Sequence, residues 1–268
     1  MEDTSKSSVT SKVGNANLGK IDVYPIYIEP FHVDFTGRVF LGVLGNHLLN
    51  AAGNHSQRRG WGIGALNETS HTWVLSRLSI EMTEMPVNYQ HCQVKTWVES
   101  VLKTFTNRNF AIGDADGRPM GYARSVWAMI DMETRRPCDL LSLYDGDIIN
   151  YVVSEQENIC PIAGHGRFRF RDAREVRTIE TYYSDVDING HINSIKYIEH
   201  ILDLFPREQL EMGIHRFEIA YKAESYLGDR LTFYVQQAGE KETDVEVRKN
   251  STADEPGDVV CQAKVVFN

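Results

Sequence analysis

A seven-residue stretch that occurs twice is the feature that most constrains the fold of this chain. Residues 33–39 (Val-Asp-Phe-Thr-Gly-Arg-Val) align with residues 186–192 (Val-Asp-Ile-Asn-Gly-His-Ile) at an offset of 153 residues. Each copy follows a β-rich run and precedes a segment with helical periodicity. Further along, Ser79 and Glu218 are predicted to open comparable strands. These matches predict two copies of one structural unit within the 268 residues.

Each copy is predicted to contain one long helix followed by several strands. Apolar spacing predicts a first helix that stops at Gly60 and a second that stops before Pro206. The helix faces are Phe40, Leu44, Leu48, Ala51 and His55, and Ile192, Ile195, Ile198, Ile201, Leu202 and Phe205. Strands are predicted at residues 94–100, 124–130, 216–221, 230–235 and 259–265. A sheet wrapped around a long helix resembles the hot-dog domain, so the predicted fold is α+β, a double hot dog of two tandem copies.

Composition excludes several classes of protein. The chain has 28 Lys and Arg residues against 37 Asp and Glu residues, whereas a nucleic-acid-binding protein normally carries a basic surface. No apolar run approaches the roughly 18 residues of a membrane span, and the first 20 residues lack the apolar stretch of a secretory signal. The four cysteines have no C-x-x-C spacing. We expect a cytoplasmic protein without nucleic-acid or membrane partners.

The polar positions of the repeat differ between the copies and suggest where chemistry takes place. The second copy has Asn189 and His191 where the first has Thr and Arg. In an extended segment the side chains of Asp187, Asn189 and His191 would point the same way. A hydrolase needs a carboxylate, an imidazole and donors for an oxyanion. The backbone N–H groups of Gly190 and His191 are expected at a helix N-terminus, where they would supply those donors.

Two other interpretations of this segment remain open in the sequence. Asn189 could be only the N-cap of the following helix, since Asn is among the best capping residues. The spacing of Asp185, Asp187 and Asn189 also matches the start of an EF-hand calcium loop. Lys196 stands where that loop requires a bidentate Glu, so we expect no metal.

Three motifs resemble those of the acyl-acyl carrier protein (ACP) thioesterases of plastids and bacteria. Residues 185–198 (DVDINGHINSIKYI) are very similar to the family's D-x-D-x-N-x-H-x-N-N-x-K-Y-I block. Residues 221–225 (YKAES) resemble its Y-R-R-E-C segment, and residues 73–77 (WVLSR) its W-V-x-x-R segment. The resemblance covers roughly residues 20–268. It implies a double hot-dog enzyme without a cofactor that hydrolyses fatty acyl-ACP to free fatty acid and holo-ACP, ending fatty acid synthesis.

The resemblance implies the catalytic residues as well. Asp187, Asn189 and His191 match the first motif, and Glu224 matches the second. The family commonly has Cys after that Glu, whereas Ser225 stands here, which favours a mechanism based on a carboxylate and water. Glu224 assisted by His191 would activate the water, and Asn189 would bind the thioester oxygen. Asp187 would orient the Asn-His unit or attack directly, so the choice of base and nucleophile stays open.

The repeat and the resemblance together predict the domain organisation. A tail at residues 1–20 precedes an inactive hot-dog domain at residues 21–145, a linker at residues 146–175 and a catalytic hot-dog domain at residues 176–268. The resemblance places the acyl-chain pocket mainly in the first domain. Its candidate lining residues are Phe40, Leu44, Leu48, Trp73 and Leu75.

The predicted linker contains an arginine cluster. From Arg167 to Arg177 there are five Arg residues against two acidic ones, a local charge of +3. This stretch is either a solvated connection or a docking site for acyl-ACP, because local basic charge attracts an acidic partner. The docking candidates are Arg167, Arg169, Arg171 and Arg174, with Arg58, Arg59, Arg135 and Arg136 as further ones. We expect a monomer with an internal pseudo-dimer, or a homodimer.

Alternative functions on the same fold are an acyl-CoA thioesterase, a hydroxyacyl dehydratase and a non-catalytic acyl-binding protein, because a fold does not determine a function. The presence of both His191 and Glu224 disfavours the binding protein. The match of two catalytic motifs disfavours the dehydratase.

Overall fold

The structure is a computed structural model and describes residues 18–252, 255 and 257–268. Most of the predicted tail, residues 1–20, lies outside these residues. In the part of the chain that is described, no helix is both long and apolar enough to cross a membrane.

The two halves contain matching sets of elements. The first half contains β1 (Ile21–Tyr27), α1 (Leu41–Arg58), α2 (Ile63–Asn67), β2 (His71–Met82), β3 (His91–Val101), β4 (Phe105–Asp114) and β5 (Pro119–Asp131). The second contains β6 (Arg174–Glu180), α3 (Ser194–Leu202), α4 (Arg207–Met212), β7 (Ile214–Tyr221), β8 (Arg230–Gln237), β9 (Glu242–Lys249) and β10 (Asp258–Phe267). Short 3-10 helices lie at Pro30–His32, Leu140–Ser142, Tyr144–Tyr151 and Tyr183–Asp185.

The ten described strands form one antiparallel sheet in the order β1-β3-β4-β5-β2-β7-β10-β9-β8-β6. Counted within each half, the order from the outer edge inwards is first, third, fourth, fifth, second in both. This identity of topology is what a duplicated unit produces. The predicted α+β double hot dog is confirmed.

The halves join where β2 pairs with β7. Ser79 pairs with Glu218, and the flanking pairs are Leu78 with Ile219 and Ile80 with Phe217. The equivalent segments of the two copies therefore face each other at the centre of the sheet. The prediction that they open their strands is wrong, because β2 begins at His71 and β7 at Ile214.

Helix α1 packs against β3 and against α3. The predicted face is buried at Leu44, Leu48, Ala51 and His55, whereas Phe40 precedes the helix and is 47% exposed. A Cβ atom at Gly45 would lie 2.7 Å from the Ile195 Cδ1 atom, so the missing side chain lets the two helices approach closely. Gly60, with φ of 73°, follows the end of α1 as predicted.

The second helix is shorter than predicted. α3 ends at Leu202, and the following residues form turns in which Phe205 N–H donates to the Leu202 carbonyl oxygen at 3.1 Å. Pro206 disfavours a helical conformation for the residue before it. Ile192 precedes the helix, so only the middle of the predicted face, Ile195, Ile198 and Ile201, is helical and buried.

The segment between β5 and β6 packs onto the sheet. Val153, Cys160 and Ile162 are buried with Trp97 in a cluster separate from the main core. Gly166 crosses the junction of the halves, because its carbonyl oxygen accepts a hydrogen bond from the Arg77 guanidinium at 2.9 Å. The boundaries of the predicted linker, residues 146–175, stay a prediction.

Candidate active site

A cavity of about 820 Å³ is lined by residues of both halves. Its apolar lining residues come mainly from the first half and include Trp61, Trp73, Leu75 and Trp127. Polar lining residues include Arg135, Asp187, Asn189, His191 and Glu224. The β2–β7 junction brings the two groups together, because β2 carries Trp73 and the chain leaving β7 carries Glu224.

Asp187, Asn189 and His191 lie in a tight turn. The N–H of Asp187 donates to the His191 carbonyl oxygen at 2.9 Å, and the N–H of Gly190 donates to the Asp187 carbonyl oxygen at 3.0 Å. The Asp187 carboxylate accepts a hydrogen bond from the Asn189 N–H at 2.8 Å. Gly190 has a φ of 80°, which favours glycine. The expectation of an extended segment with alternating side chains is therefore wrong.

The helix begins after this turn. Asn193 is the N-cap of α3, and its side-chain oxygen accepts a hydrogen bond from the Ile195 N–H at 2.9 Å. The interpretation of Asn189 as the cap is wrong. Gly190 and His191 also precede the helix, and the Gly190 N–H is bonded within the turn. These two amides are therefore not the helix N-terminus predicted for an oxyanion.

The structure brings His191 and Glu224 together from different elements. The His191 Nδ1 atom lies 3.4 Å from the Glu224 Oε1 atom. The Tyr226 ring packs edge-on against His191 with 5.1 Å between ring centroids. The Lys249 ammonium donates to the Glu224 carbonyl oxygen at 2.9 Å and holds the backbone that carries the carboxylate. The 3.4 Å separation between the imidazole and the carboxylate is longer than an ordinary hydrogen bond and lies within ion-pair distance.

Arg135 is a site residue that the sequence suggested only as a docking candidate. Its guanidinium forms an ion pair and hydrogen bond with the Glu224 carboxylate. Arg135 lies in a turn after β5, where its N–H donates to the Asp131 carbonyl oxygen at 3.0 Å. Arg135 thus comes from the first half and contacts the second. The two residues are far apart in the sequence, so no local motif indicates the contact.

The electrostatics of the site favour a neutral imidazole. Partial burial lowers the pKa of His191 below its usual value, and the positive charge of Arg135 lowers it further, whereas Asp187 opposes the shift. His191 can therefore accept a proton near neutral pH. The Glu224 carboxylate, which pairs with Arg135, lies beside this imidazole.

Ser225, the residue after Glu224, is fully buried. Its carbonyl oxygen accepts a hydrogen bond from the Ile192 N–H at 2.9 Å, which ties the turn of residues 187–191 to the chain leaving β7. All four cysteines are described, and none of them lines the cavity. The site around Glu224 therefore has no thiol nucleophile among its described residues.

The five candidates for the acyl pocket separate into two groups. Trp73 and Leu75 lie in the cavity wall. Leu44 and Leu48 are fully buried in the main core, and Phe40 lies at the surface, so these three are not among the lining residues. The face of α1 that borders the cavity includes Leu49 instead.

The candidate docking arginines lie on different parts of the molecule. Arg167, Arg169, Arg171 and Arg174 are exposed along the segment before and at the start of β6. Arg58 and Arg136 are also exposed, whereas Arg59 is buried and paired with Asp22. Arg59 is therefore unsuited to docking.

The segment that begins at Asp185, whose spacing matches a calcium-binding loop, does not fold as such a loop. The Asp185 Oδ1 atom lies 2.9 Å from the His200 Nε2 atom, and Asp185 also accepts a hydrogen bond from the Tyr182 N–H at 2.8 Å. Within residues 18–252, 255 and 257–268, no three His, Cys, Asp or Glu side chains form a group that could hold a metal ion.

Comparison with solved structures shows the same architecture. The crystal structure of an acyl-ACP thioesterase from Bacteroides thetaiotaomicron VPI-5482 is 53% identical, with a TM-score of 0.85 over 93% of this chain and 98% of that chain. The 12:0-ACP thioesterase from Umbellularia californica shares the fold with a TM-score of 0.78 at 18% identity, over 94% and 98% of the two chains.

Sequence comparison extends this result to plant proteins. The chloroplastic palmitoyl-acyl carrier protein thioesterase of Arabidopsis thaliana is 29% identical over 60% of this chain and 41% of the relative. The chain spans about a third to a half of the length of the curated relatives it matches. The family models "Acyl-ACP thioesterase N-terminal domain" and "Acyl-ACP thioesterase C-terminal domain" match residues 24–144 and 170–268. The chain therefore belongs to the acyl-ACP thioesterase family.

Proposed function

We propose that this protein hydrolyses the thioester of fatty acyl-ACP, releases free fatty acid and holo-ACP, and so ends fatty acid synthesis. The observation that carries the proposal is the pairing of His191 with Glu224 in the wall of a cavity whose other wall is apolar. The apolar wall suits an acyl chain, and the pair lies where the thioester of such a chain would meet water. Family membership supports the same reaction.

The residues support a general-base mechanism. His191, assisted by the carboxylate of Glu224, takes a proton from water as the water oxygen attacks the thioester carbonyl carbon. The side-chain amide of Asn189 stabilises the negative charge that develops on the carbonyl oxygen. The tetrahedral intermediate then breaks its C–S bond, and the departing sulfur receives the proton from His191. Free acid and thiol are the products.

Asp187 is assigned a positioning role in this mechanism. Its carboxylate is bonded to the backbone N–H of Asn189 at 2.8 Å, so it holds the turn that presents Asn189 and His191. The geometry therefore favours Glu224 and His191 as the base and Asp187 as the residue that orients them.

The partner is proposed to be an ACP, which is acidic. The exposed arginines of residues 167–174 offer it a basic surface. An acyl-CoA substrate remains the alternative, because CoA would reach the same thioester site without that surface. The four free thiols are consistent with a cytoplasmic location, and a monomer or a homodimer would suit the internal pseudo-dimer.

Thiol release from acyl-ACP and acyl-CoA of equal chain length tests the proposal. We expect His191→Ala and Glu224→Gln each to lower kcat/KM for both substrates by about 10²- to 10⁴-fold. Charge reversal at Arg169 and Arg171 should raise KM for acyl-ACP only, with Arg207→Glu as an exposed control. Unchanged activity of the first two variants would refute the mechanism, and equal effects on both substrates would refute the docking surface.

A further inference from the structure

The part of the cavity wall formed by the C-terminal end of α1 and by β4 is charged. Arg59 and Arg108 line the cavity here together with Ser56 and Thr106. The two arginines are only 1% and 5% exposed. The proposed mechanism uses none of these residues. Buried cations are rare unless they are paired with an anion. Whether Arg59 and Arg108 have such partners within the protein therefore determines what this part of the cavity can bind.

Arg59 is neutralised by the carboxylate in this region. Its Nη1 and Nη2 atoms donate to the two carboxylate oxygens of Asp22 at 2.8 and 2.9 Å. Asp22 also accepts a hydrogen bond from Arg58 at 3.2 Å. Although burial opposes ionisation, hydrogen bonds from Arg59 and Tyr24 lower the pKa of Asp22 to about 2. Asp22 is therefore fully ionised, and its charge is shared between two arginines.

Arg108 is bonded only to neutral groups among the described residues. It donates to the Thr96 and Ser56 hydroxyl oxygens, each at 3.2 Å, and lies 3.3 Å from the His55 Nδ1 atom. The His55 Nε2 atom lies 3.1 Å from the Lys20 carbonyl oxygen. An Nε2–H donor there leaves Nδ1 free to accept from Arg108.

The protonation states of this pair follow from burial and neighbouring charge. Burial and the two arginines lower the pKa of His55 to about 3, so its ring is neutral. Burial lowers the pKa of Arg108 to about 10, so the guanidinium is still a cation at neutral pH. The Asp22 carboxylate pairs with Arg58 and Arg59, so Arg108 has no carboxylate bonded to it among the described residues. A buried positive charge without an anionic partner favours an anion in the adjoining cavity.

We propose that Arg108, with Ser56 and Thr106, forms a polar subsite for a carboxylate at the end of the acyl chain remote from the thioester. This subsite would extend the substrates from fatty acyl thioesters to monothioesters of dicarboxylic acids. The apolar wall of Trp61, Trp73 and Leu75 would hold the methylene groups between the subsite and the catalytic pair. This inference rests on the proposed thioesterase function for its substrate, but the binding preference can be measured without hydrolysis.

The test uses amide analogues of acyl-pantetheine, in which nitrogen replaces the thioester sulfur so that the probe is not hydrolysed. A series of chain lengths is prepared with either a carboxylate or a methyl group at the remote end. In calorimetric titrations of the wild-type protein, the best carboxylate probe should bind about tenfold or more tightly than the methyl probe of equal length, because charge-assisted hydrogen bonds are strong. A ratio near one or below it at every chain length overturns the proposal.

Variants assign the preference to Arg108. Arg108→Met should reduce the ratio to about one, and Arg108→Lys should keep part of it; the lysine variant serves alone if the methionine variant does not fold. Arg124→Met is the matched control, because Arg124 pairs with Glu99 at 3.1 Å and is not among the residues lining this cavity. A ratio that survives both changes at Arg108 overturns the assignment. Thiol release measured in parallel separates the outcomes, since a preserved binding ratio without hydrolysis refutes only the proposed activity.

Discussion

The two copies of the repeated turn have the same backbone geometry and different side chains. In the first copy, Asp34 N–H donates to the Arg38 carbonyl oxygen at 2.8 Å, and Gly37 N–H donates to the Asp34 carbonyl oxygen at 3.0 Å. The Asp34 carboxylate accepts a hydrogen bond from the Thr36 N–H at 2.7 Å. Each of these bonds has a counterpart at Asp187 in the second copy. The turn is therefore a structural device of the fold, independent of catalysis.

The side chains that face the cavity distinguish the copies. His191 lies 3.4 Å from Glu224, whereas its counterpart Arg38 donates to the Glu211 carbonyl oxygen at 3.2 Å. If the alignment of Ser79 with Glu218 as equivalent positions of the two copies is continued along the chain, the counterpart of Glu224 is Met85, which packs against the main core. The comparison teaches that Asp187 has a structural role that it shares with Asp34, whereas the pair of His191 and Glu224 belongs to the second copy.

The largest expected effect comes from making the second copy like the first. His191→Arg should lower kcat/KM for acyl-ACP by about 10²- to 10⁴-fold, because the general base is replaced by a permanent cation. The measurement is thiol release at saturating and limiting substrate. Arg38→His is the matched control and should leave kcat/KM within about twofold, since no carboxylate among the described residues pairs with position 38 as Glu224 pairs with His191. Equal losses in both variants would contradict the division of roles.

A smaller effect is expected at the aspartates that the copies share. Asp34→Ala and Asp187→Ala should each lower the free energy of unfolding by about 1 kcal/mol, because each removes one carboxylate–amide hydrogen bond. Denaturant titration measures this. Asp187→Ala should also lower kcat/KM about tenfold to a hundredfold through misplacement of Asn189 and His191, whereas Asp34→Ala should not. If Asp187→Ala loses far more than a hundredfold in kcat/KM while its stability falls no more than that of Asp34→Ala, the purely positioning role of Asp187 is contradicted.

The smallest effect is a shift of the pH profile. Arg135 lowers the pKa of His191 and Asp187 raises it. The neutral base is lost as the pH falls through that pKa, so it determines the acid limb of kcat/KM. Arg135→Gln should therefore move the acid limb to higher pH, and Asp187→Asn should move it to lower pH. Limbs that do not move, or that move together, would show that His191 is not the titrating base.

Local patterns predicted much of the fold. The repeat indicated the duplicated topology, and the apolar spacing indicated the buried face of α1 at Leu48 and Ala51. The family resemblance, and not a local pattern, implied that His191 and Glu224 belong to one site, and the structure brings them to 3.4 Å. The predictions from local patterns succeeded because turns and helix faces depend on neighbouring residues. The position of the helix start was missed because Asn189 and Asn193 are both good caps, and only the turn geometry selects Asn193.

Contacts between distant segments could not be predicted in this way. Arg135 and Arg108 have ordinary sequence surroundings, and their importance arises from the Glu224 carboxylate in one case and from burial in the other. Leu44 and Leu48 match the pattern of a pocket wall and of a core equally well. The orientation of α1 about its own axis determines that both side chains pack in the main core.

The sequence by itself determined that the chain contains two related units and that the second has an imidazole and a carboxylate in its motifs, because local hydrogen bonding and periodicity follow from neighbouring residues. Only the tertiary structure decided which charged side chains contact each other. The antiparallel pairing of β2 with β7 joins the two halves, and Arg135 of the first half then contacts Glu224 of the second. Burial of Arg108 beside neutral partners is likewise decided by packing, because the energy of a charge depends on the groups that surround it and not on its position in the chain.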